Sequence, residues 1–350
     1  MSIRVALIGY GLGGRAFHAP LIAATPGLTI TTIVTSHPQR KAEASRDFPN
    51  ARIVDNAEWV WAHARDHDLA VIVTPNRMHA PLTRAALNAG LAVVVDKPFT
   101  PTVAEARELV ALSRRLGVPL SVYHQRRWDG EILTLRRLLD ENALGTVVRF
   151  ESRLERWRPQ PLAGAWRERA EPEEAGGLLY DLGSHLIDQA LMLFGPATHV
   201  YAEVDCSRPG AVIDDDVFIA LEHASGVRSH LWTNAVSAQP APRLRVLGTR
   251  ATYTKQYADV QELSLRAGRG PGSPGYGEDP PERWGLLGAG DDVRPVPTEK
   301  GDYQRFYRDT VTWLREGGPP PVNPEDAIAT LEIIEAARRS AAERRVIPLG

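Results

Sequence analysis

Cysteine is nearly absent from this sequence of 350 residues, and its scarcity limits what the protein can be. The single cysteine, Cys206, excludes a disulfide within the chain and any metal site built from several cysteines. Such a chain suits a reducing compartment, and we predict a cytoplasmic protein. No apolar run approaches the roughly 18 residues of a membrane span, and the N-terminus lacks the layout of a secretory signal peptide.

A large excess of charge of one sign is also missing. The formal net charge is −2, from 41 Lys and Arg against 43 Asp and Glu. This balance argues against nucleic acids and membrane surfaces as partners. The composition, 43% hydrophobic and 24% charged, is ordinary for a soluble globular protein. At about 150 residues per domain, the length predicts two domains.

The N-terminal stretch carries a glycine motif with the spacing G-x-G-x-x-G, formed by Gly9, Gly11 and Gly14. The apolar run Val5–Ile8 predicts a strand before the motif, and a helical pattern follows it. In a dinucleotide site these glycines permit a tight turn, close approach of a pyrophosphate, and close packing of helix on strand. We therefore predict cofactor contacts from the three glycines and Leu12, at the N-terminal end of that helix. A plain structural turn is the alternative.

Strand and helix patterns alternate through residues 1–123. Apolar strands without polar alternation predict a Rossmann-type, doubly wound parallel sheet, which binds ligands at the carboxyl ends of its strands. Residues 124–350 instead show partly alternating strands separated by turns, which predicts an α+β domain with a mostly antiparallel open sheet. We expect this second domain to bind substrate. We also expect it to form a homodimer or homotetramer through its sheet.

The end of the second predicted strand bears on the choice of cofactor. NAD sites usually offer an Asp or Glu here to the ribose hydroxyls, and this sequence has neither. Thr35 and Ser36 could instead donate hydrogen bonds to a phosphate, and Arg40 or Lys41 could supply positive charge. These residues favour NADP. A neutral ribose pocket that accepts NAD or NADP is the alternative.

The fourth predicted strand runs into Thr74, Pro75 and Asn76, with His79 close behind. Pro75 turns the chain sharply out of the sheet, and Asn76 is a plausible cap for the helix that follows. All four residues would border a cofactor bound at the strand ends. For His79, a surface or helix-end histidine is the alternative.

The fifth predicted strand runs into Asp96, Lys97 and Pro98. An ammonium group directly after a buried strand would face the ligand crevice. The alternative is a lysine that extends its side chain into solvent.

A helix predicted over residues 182–194 carries polar residues on one side of an otherwise apolar pattern. Asp181, His185 and Asp188 are spaced i, i+4 and i+7, so they share one face and call for a ligand or a buried partner. Asp181 could instead cap the helix, and His185 could be a core histidine with satisfied hydrogen bonds. Without a nearby cysteine, and with a lysine expected at the site, we predict no metal.

These motifs together resemble the glucose–fructose oxidoreductase/inositol dehydrogenase (Gfo/Idh/MocA) family. The resemblance rests on the glycine motif, Thr74-Pro-Asn with His79, Asp96-Lys-Pro98, and Gly176-Gly-Leu-Leu-Tyr-Asp-Leu-Gly-Ser-His185. Asp96 stands where the family more often has Glu, which leaves Lys97 in place.

Within the family, the chain is most similar to the branch that holds NADP-dependent scyllo-inositol dehydrogenases. The shared segments include Phe17-His-x-Pro20 and Ser121-Val-Tyr-His124 with Arg126-Arg-Trp128. They also include Tyr180-Asp-Leu-Gly-Ser-His185 with Ile187-Asp-Gln189.

The resemblance implies hydride transfer between a secondary alcohol of a cyclic polyol or sugar and the nicotinamide. Neutral His185 would take the hydroxyl proton, since an ordinary histidine pKa of about 6.5 suits a base. Lys97 would stabilise the alkoxide that develops, and Asp181 would orient the histidine. We expect the cofactor over the first domain and the substrate between the domains.

The resemblance also places further side chains at the site. Trp166 and Arg167 would lie near the nicotinamide, and His124 and Arg127 would join Lys97, Asp181 and His185 in binding substrate. A packed tryptophan and a surface arginine are the alternative for the first pair. Two other functions on this scaffold stay open: a non-catalytic cofactor sensor and a redox-assisted glycosidase.

The stretch 268–290 is rich in glycine and proline and is predicted to be irregular. A substrate lid, a subunit arm and a mobile surface loop are its possible roles.

Overall fold

A computed structural model describes residues 2–162, 164–169 and 171–350, and the chain divides into two compact units. The first unit comprises Met1–Gln125, Gln261–Tyr276 and Tyr303–Ile328. The second unit comprises Arg126–Val260, Gly277–Asp302 and Ala329–Gly350. Each unit is therefore built from separate segments of the chain. A functional boundary after residue 123 stays a prediction.

The first unit contains a six-stranded sheet in which all neighbouring strands are parallel. Its strands are β1 Ile3–Ile8, β2 Leu28–Val34, β3 Arg52–Val54, β4 Leu69–Ile72, β5 Ala92–Asp96 and β6 Leu120–Tyr123. Their order is β3-β2-β1-β4-β5-β6, so the direction of winding reverses between β1 and β4. The predicted doubly wound sheet is confirmed, and its switch point places a ligand crevice at the carboxyl end of β1.

Burial explains why these segments form strands. Every residue of β4 is fully buried, and Val5, Ala6 and Leu7 of β1 are equally inaccessible. Strands that are buried on both faces are apolar throughout and do not alternate apolar with polar side chains. The sequence shows such apolar runs at these strands. The unit's helices are α1 Ala19–Ala23, α2 Pro38–Asp47, α3 Glu58–Ala62, α4 His79–Asn88, α5 Val103–Leu116, α8 Gln261–Arg266 and α9 Gln304–Glu316.

The second unit contains a nine-stranded sheet. Its strands are β7 Val147–Glu155, β8 Ala197–Asp205, β9 Asp216–His223, β10 Arg228–Asn234, β11 Leu244–Gly248, β12 Thr252–Lys255, β13 Gly285–Ala289, β14 Asp292–Val296 and β15 Ile347–Pro348. Their order is β14-β13-β12-β11-β7-β10-β9-β8-β15, and only β7 and β10 pair in parallel. The predicted α+β domain with a mostly antiparallel open sheet is confirmed.

Helices α6 Gly130–Asp140 and α7 Ser184–Phe194 also belong to the second unit, and α10 Pro324–Glu343 has residues in both units. In the described part of the chain, no helix combines the length and apolar character that crossing a membrane requires.

The stretch 268–290 is more regular than its composition suggests. Strand β13 lies inside it, so the prediction of an irregular segment is wrong over these residues. A methyl group on Gly285 would lie 2.5 Å from the Tyr253 ring, and one on Gly288 would lie 2.0 Å from the backbone oxygen of Asp292. These glycines therefore permit close packing within the sheet, a role that composition alone does not distinguish from that of a loop glycine.

Candidate functional site

The glycine motif forms a tight turn between β1 and the first helix. Gly9 has a φ of +107°, and a methyl group there would lie 2.1 Å from the carbonyl oxygen of Val73. A methyl group on Gly14 would lie 2.0 Å from the carbonyl oxygen of Gly9. Both positions therefore require glycine on steric grounds. The helix opens with a π-helical turn, Gly13–His18, a form that is often found at functional sites.

Gly11 differs from the other two glycines because the space beside it is open. The nearest atom to a methyl group there would be Nη1 of Arg40, at 3.8 Å. Arg40 is exposed on α2 and forms no ion pair with the described residues, whereas the adjacent Lys41 is paired with Asp55. An uncompensated cation therefore lies next to the motif.

The two hydroxyl residues at the end of β2 differ in exposure. Thr35 is buried, and its backbone N–H donates to the carbonyl of Val54 at 2.9 Å. Ser36 is exposed. The Ser36 hydroxyl can therefore reach a ligand without rearrangement. Leu12, in the glycine turn, is exposed as well.

His79 joins the turns that follow β4 and β5. Its Nδ1 lies 2.8 Å from the carbonyl oxygen of Pro98, and its Nε2 lies 3.0 Å from that of Thr74. The ring is buried, so a surface histidine is wrong, whereas the helix-end position is correct because His79 is the first residue of α4. Burial lowers its pKa, against the opposing effects of Asp96 and the two carbonyls. A neutral imidazole has one N–H, so it donates to one of these carbonyls at a time.

The neighbours of His79 complete this edge of the sheet. Asn76 is buried at the start of a short 3₁₀ turn, and α4 has no side-chain cap, so the expected capping by Asn76 is wrong. Thr74 and Pro75 are partly exposed.

Asp96 is the last residue of β5, and its carboxylate is directed at the turn that follows. Oδ1 accepts the backbone N–H of Lys97 at 2.8 Å and lies 3.8 Å from Nε2 of His18. Burial opposes ionisation of Asp96, but His18, Lys97 and His79 outweigh it and hold the pKa of the carboxyl below its usual range. Lys97 is half-buried, and His124, just after β6, is buried.

A second set of predicted residues lies in the second unit. A π-helical turn, Leu179–Gly183, leads directly into α7. Gly183, not Asp181, occupies the cap position of α7, so the capping alternative for Asp181 is wrong. Asp181 Oδ1 lies 3.4 Å from Nε of Arg167, whose guanidinium stacks on the Trp166 ring at 4.3 Å.

His185 and Asp188 are both buried on α7. Asp188 has a charged partner, the partly buried Arg127, which binds it in a bidentate manner. The distances are 2.5 Å from Nη2 to Oδ1 and 2.9 Å from Nε to Oδ2. The Arg127 guanidinium is thus held by Asp188, and its contact with substrate stays a prediction.

The structure also reveals a cleft lined by arginines beside Asp181, which motif analysis missed. Its basic residues are Arg156, Arg158, Arg167 and Arg208. Arg208 is paired with Glu168 and Asp215, at 2.7 and 2.8 Å. No spacing in the sequence signals this cleft, because its residues come from several segments.

In the ranges 2–162, 164–169 and 171–350, no group of three or more His, Cys, Asp or Glu side chains is arranged to hold a metal ion. The residues of the first unit do fit a dinucleotide. The backbone at Gly11 is open to a phosphate, and Arg40 adds positive charge beside it.

Comparison with known proteins defines the class. Residues 3–124 match the profile of the oxidoreductase family with the NAD-binding Rossmann fold, and residues 136–349 match that family's C-terminal alpha/beta domain. The chain belongs to the Gfo/Idh/MocA family and is an NAD(P)-dependent oxidoreductase.

Particular relatives resemble the chain over its whole length. It is 37% identical to scyllo-inositol 2-dehydrogenase (NADP(+)) IolW of Bacillus subtilis (strain 168), over 99% of this chain and 96% of that protein. It is 40% identical to the uncharacterized oxidoreductase YdgJ of Escherichia coli (strain K12), over 100% and 99%. The solved structure of yvaA from Bacillus subtilis superposes with a TM-score of 0.92 at 35% identity, covering 100% of this chain and 99% of the other.

Proposed function

We propose that the protein interconverts a secondary alcohol and a ketone on a cyclic polyol or sugar, using NADP in preference to NAD. One observation carries the proposal. Asp96, which holds the backbone of Lys97, also lies beneath the glycine motif, since a methyl group on Gly13 would be 3.6 Å from its Oδ2. Lys97 therefore adjoins the cofactor-binding turn within one unit, as hydride transfer to a bound cofactor requires.

The preference for NADP rests on the end of β2. When bound, the cofactor supplies the hydride acceptor. Arg40, with the Ser36 hydroxyl, would bind the additional phosphate of NADP, because a charge-assisted hydrogen bond favours the phosphorylated ribose. The similarity to a relative named for NADP(+) supports the same preference.

Three residues carry the proton transfer in this proposal. His185 takes the hydroxyl proton as the hydride leaves the carbinol carbon. Lys97 donates a hydrogen bond to the developing alkoxide and stabilises its negative charge. Asp181, whose Oδ1 lies 3.4 Å from Nε of Arg167, orients His185 and favours its charged form. In the reverse direction the same groups return a proton to the ketone.

Further contacts follow from the same proposal. Trp166 and Arg167 bind near the nicotinamide, and His124 and Arg127 contact the substrate. Thr74, Pro75, Asn76 and His79 border the cofactor.

We test this function with initial rates of nicotinamide reduction over a panel of inositols and aldoses, with NADP⁺ and NAD⁺ in parallel. Lys97→Ala should bind cofactor normally but lose about 10²- to 10⁴-fold in turnover. Lys300→Ala, which removes an exposed lysine paired with Glu278, is the matched control and should change neither cofactor binding nor turnover. Near-normal turnover by Lys97→Ala would refute the assignment. Cofactor binding without turnover of any compound would favour a sensor, and cleavage of a glycoside would favour a glycosidase.

We also propose that two or four copies assemble through the outer face of the second unit's sheet. Partly exposed aromatic side chains cluster there, with Phe218 and Trp232 ring centroids 5.1 Å apart and Arg153 stacked on Trp232 at 3.9 Å. Their neighbours Ile219 and Leu231 point to the opposite, buried face. Such an aromatic, arginine-bearing surface has the composition of protein–protein interfaces.

A further inference from the structure

His18 is a buried histidine that the proposed reaction leaves without a role. It is the last residue of the π-helical turn after the glycine motif, and it is 1% exposed. Its Nδ1 lies 2.6 Å from the Tyr307 hydroxyl, and its Nε2 lies 3.8 Å from Asp96 Oδ1. The Tyr123 ring lies against it, with centroids 4.0 Å apart. All four residues belong to the first unit.

The chemistry of the neighbours fixes which nitrogen carries the proton. The Asp96 carboxylate is negative and lies 3.8 Å from Nε2, so its charge favours the tautomer with hydrogen on that nitrogen. Nδ1 of the neutral ring is then an acceptor, and the Tyr307 hydroxyl donates to it. Burial raises the pKa of Tyr307 well above its usual value, so this hydroxyl keeps its proton. One arrangement thus suits all three groups, running from Tyr307 through His18 to Asp96.

The same carboxylate oxygen that faces His18 accepts the backbone N–H of Lys97 at 2.8 Å. We propose that His18 is a positioning residue for Lys97, acting through Asp96, with Tyr307 holding the imidazole. This inference rests on the proposed role of Lys97. His18 fixes the carboxylate from the side of the glycine motif, and the carboxylate fixes the start of the lysine turn.

Loss of the imidazole should therefore slow the chemical step more than it weakens binding. His18→Leu removes the imidazole that lies 3.8 Å from Asp96 Oδ1, which lets the carboxylate and the turn shift. A misplacement of about 1 Å costs on the order of 10²-fold in rate. We expect kcat to fall about 10- to 100-fold, with the KM for alcohol and the Kd for NADP⁺ little changed. A purely structural role would instead lower the melting temperature and weaken cofactor binding, with kcat preserved.

Conservative variants separate the contact with Asp96 from the hydrogen bond with Tyr307. His18→Gln can place its amide nitrogen near the position of Nε2 and should keep most of the activity, whereas the shorter His18→Asn should behave like His18→Leu. Tyr307→Phe should cause a smaller loss than His18→Leu. Thr310→Val is the matched control, since it removes another buried hydroxyl from α9, one that donates to Phe306, and its kcat should be unchanged.

A double-mutant cycle with Lys97→Ala completes the test. If His18 acts through Lys97, His18→Leu should cause no further loss of kcat in the Lys97→Ala background. An equal fold-loss in both backgrounds overturns the inference, as does normal kcat in His18→Leu. Failure of the proposed function looks different, because Lys97→Ala would then retain turnover by itself.

Discussion

Glu131 of α6 is a carboxyl group enclosed by the second unit. Burial and the nearby Asp129 carboxylate raise its pKa to about 7 from 4.5, against the opposing effects of Arg243 and Lys255. Arg243 Nε lies 3.1 Å from its Oε1. Because the folded state binds the proton more tightly than the unfolded state, this residue's favourable contribution is complete below pH 4.5 and is lost as the pH rises through about 7.

Glu131→Gln should remove this pH dependence. At 1.36 kcal/mol for each unit of pKa, the rise from 4.5 to about 7 corresponds to about 3 kcal/mol. The stability of the Gln variant relative to the natural protein should therefore increase by up to about 3 kcal/mol between pH 4.5 and pH 8. Arg243 keeps other partners in the variant, Ser152 Oγ at 2.5 Å and Gln189 Oε1 at 3.1 Å.

The assay is urea unfolding of both proteins at several pH values, with the difference in stability taken from the midpoints. Glu316→Gln, at the exposed end of α9, is the control and should show a constant difference from the natural protein. If the Glu131→Gln variant instead loses stability relative to the natural protein as the pH rises, the ion pair with Arg243 outweighs burial and the reasoning is refuted.

Three further predictions concern cofactor binding and assembly. Gly14→Ala should lower both the melting temperature and the affinity for NADP⁺, because a methyl group there meets a backbone oxygen. Gly11→Ala, with open space around it, should weaken NADP⁺ binding only. Equal melting temperatures for the two variants would contradict this prediction. Arg40→Ala should weaken NADP⁺ about tenfold or more in fluorescence titrations and leave NAD⁺ unchanged, and a similar effect on both cofactors would count against a phosphate contact. Trp232→Asp should give a smaller assembly by analytical ultracentrifugation, unlike Val212→Asp at an exposed site outside the strands.

Local signals made much of the first unit predictable. Helix α5, Val103–Leu116, has a recognisable signal in the sequence at each end. Thr102 accepts the N–H of Glu105 before the first turn, and Gly117, with a φ of +65°, follows the last. Strands β4 and β5 were equally visible, because burial on both faces leaves an apolar run.

Contacts between distant parts of the chain were not predictable in this way. The hydrogen bond from Tyr307 to His18 joins residues 289 positions apart, and the ion pair of Arg127 and Asp188 joins residues 61 positions apart. Neither contact leaves a periodic pattern in the sequence. The motifs therefore identified Lys97 and His185 as candidate catalytic residues. The contacts between distant residues around them were visible only in the structure.

The division of the first unit among three chain segments has a consequence for synthesis on the ribosome. When the strands of the parallel sheet have emerged, α9 has not yet been made, because residues 303–328 follow most of the second unit. Tyr123 then lacks Phe306, whose ring packs edge-on at 4.8 Å, and His18 lacks its hydrogen-bond partner Tyr307. The apolar surface around Tyr123 thus stays uncovered until translation is nearly finished. The first unit therefore reaches its final packing only near the end of synthesis. Until α9 has emerged, chaperone contact should centre on this surface.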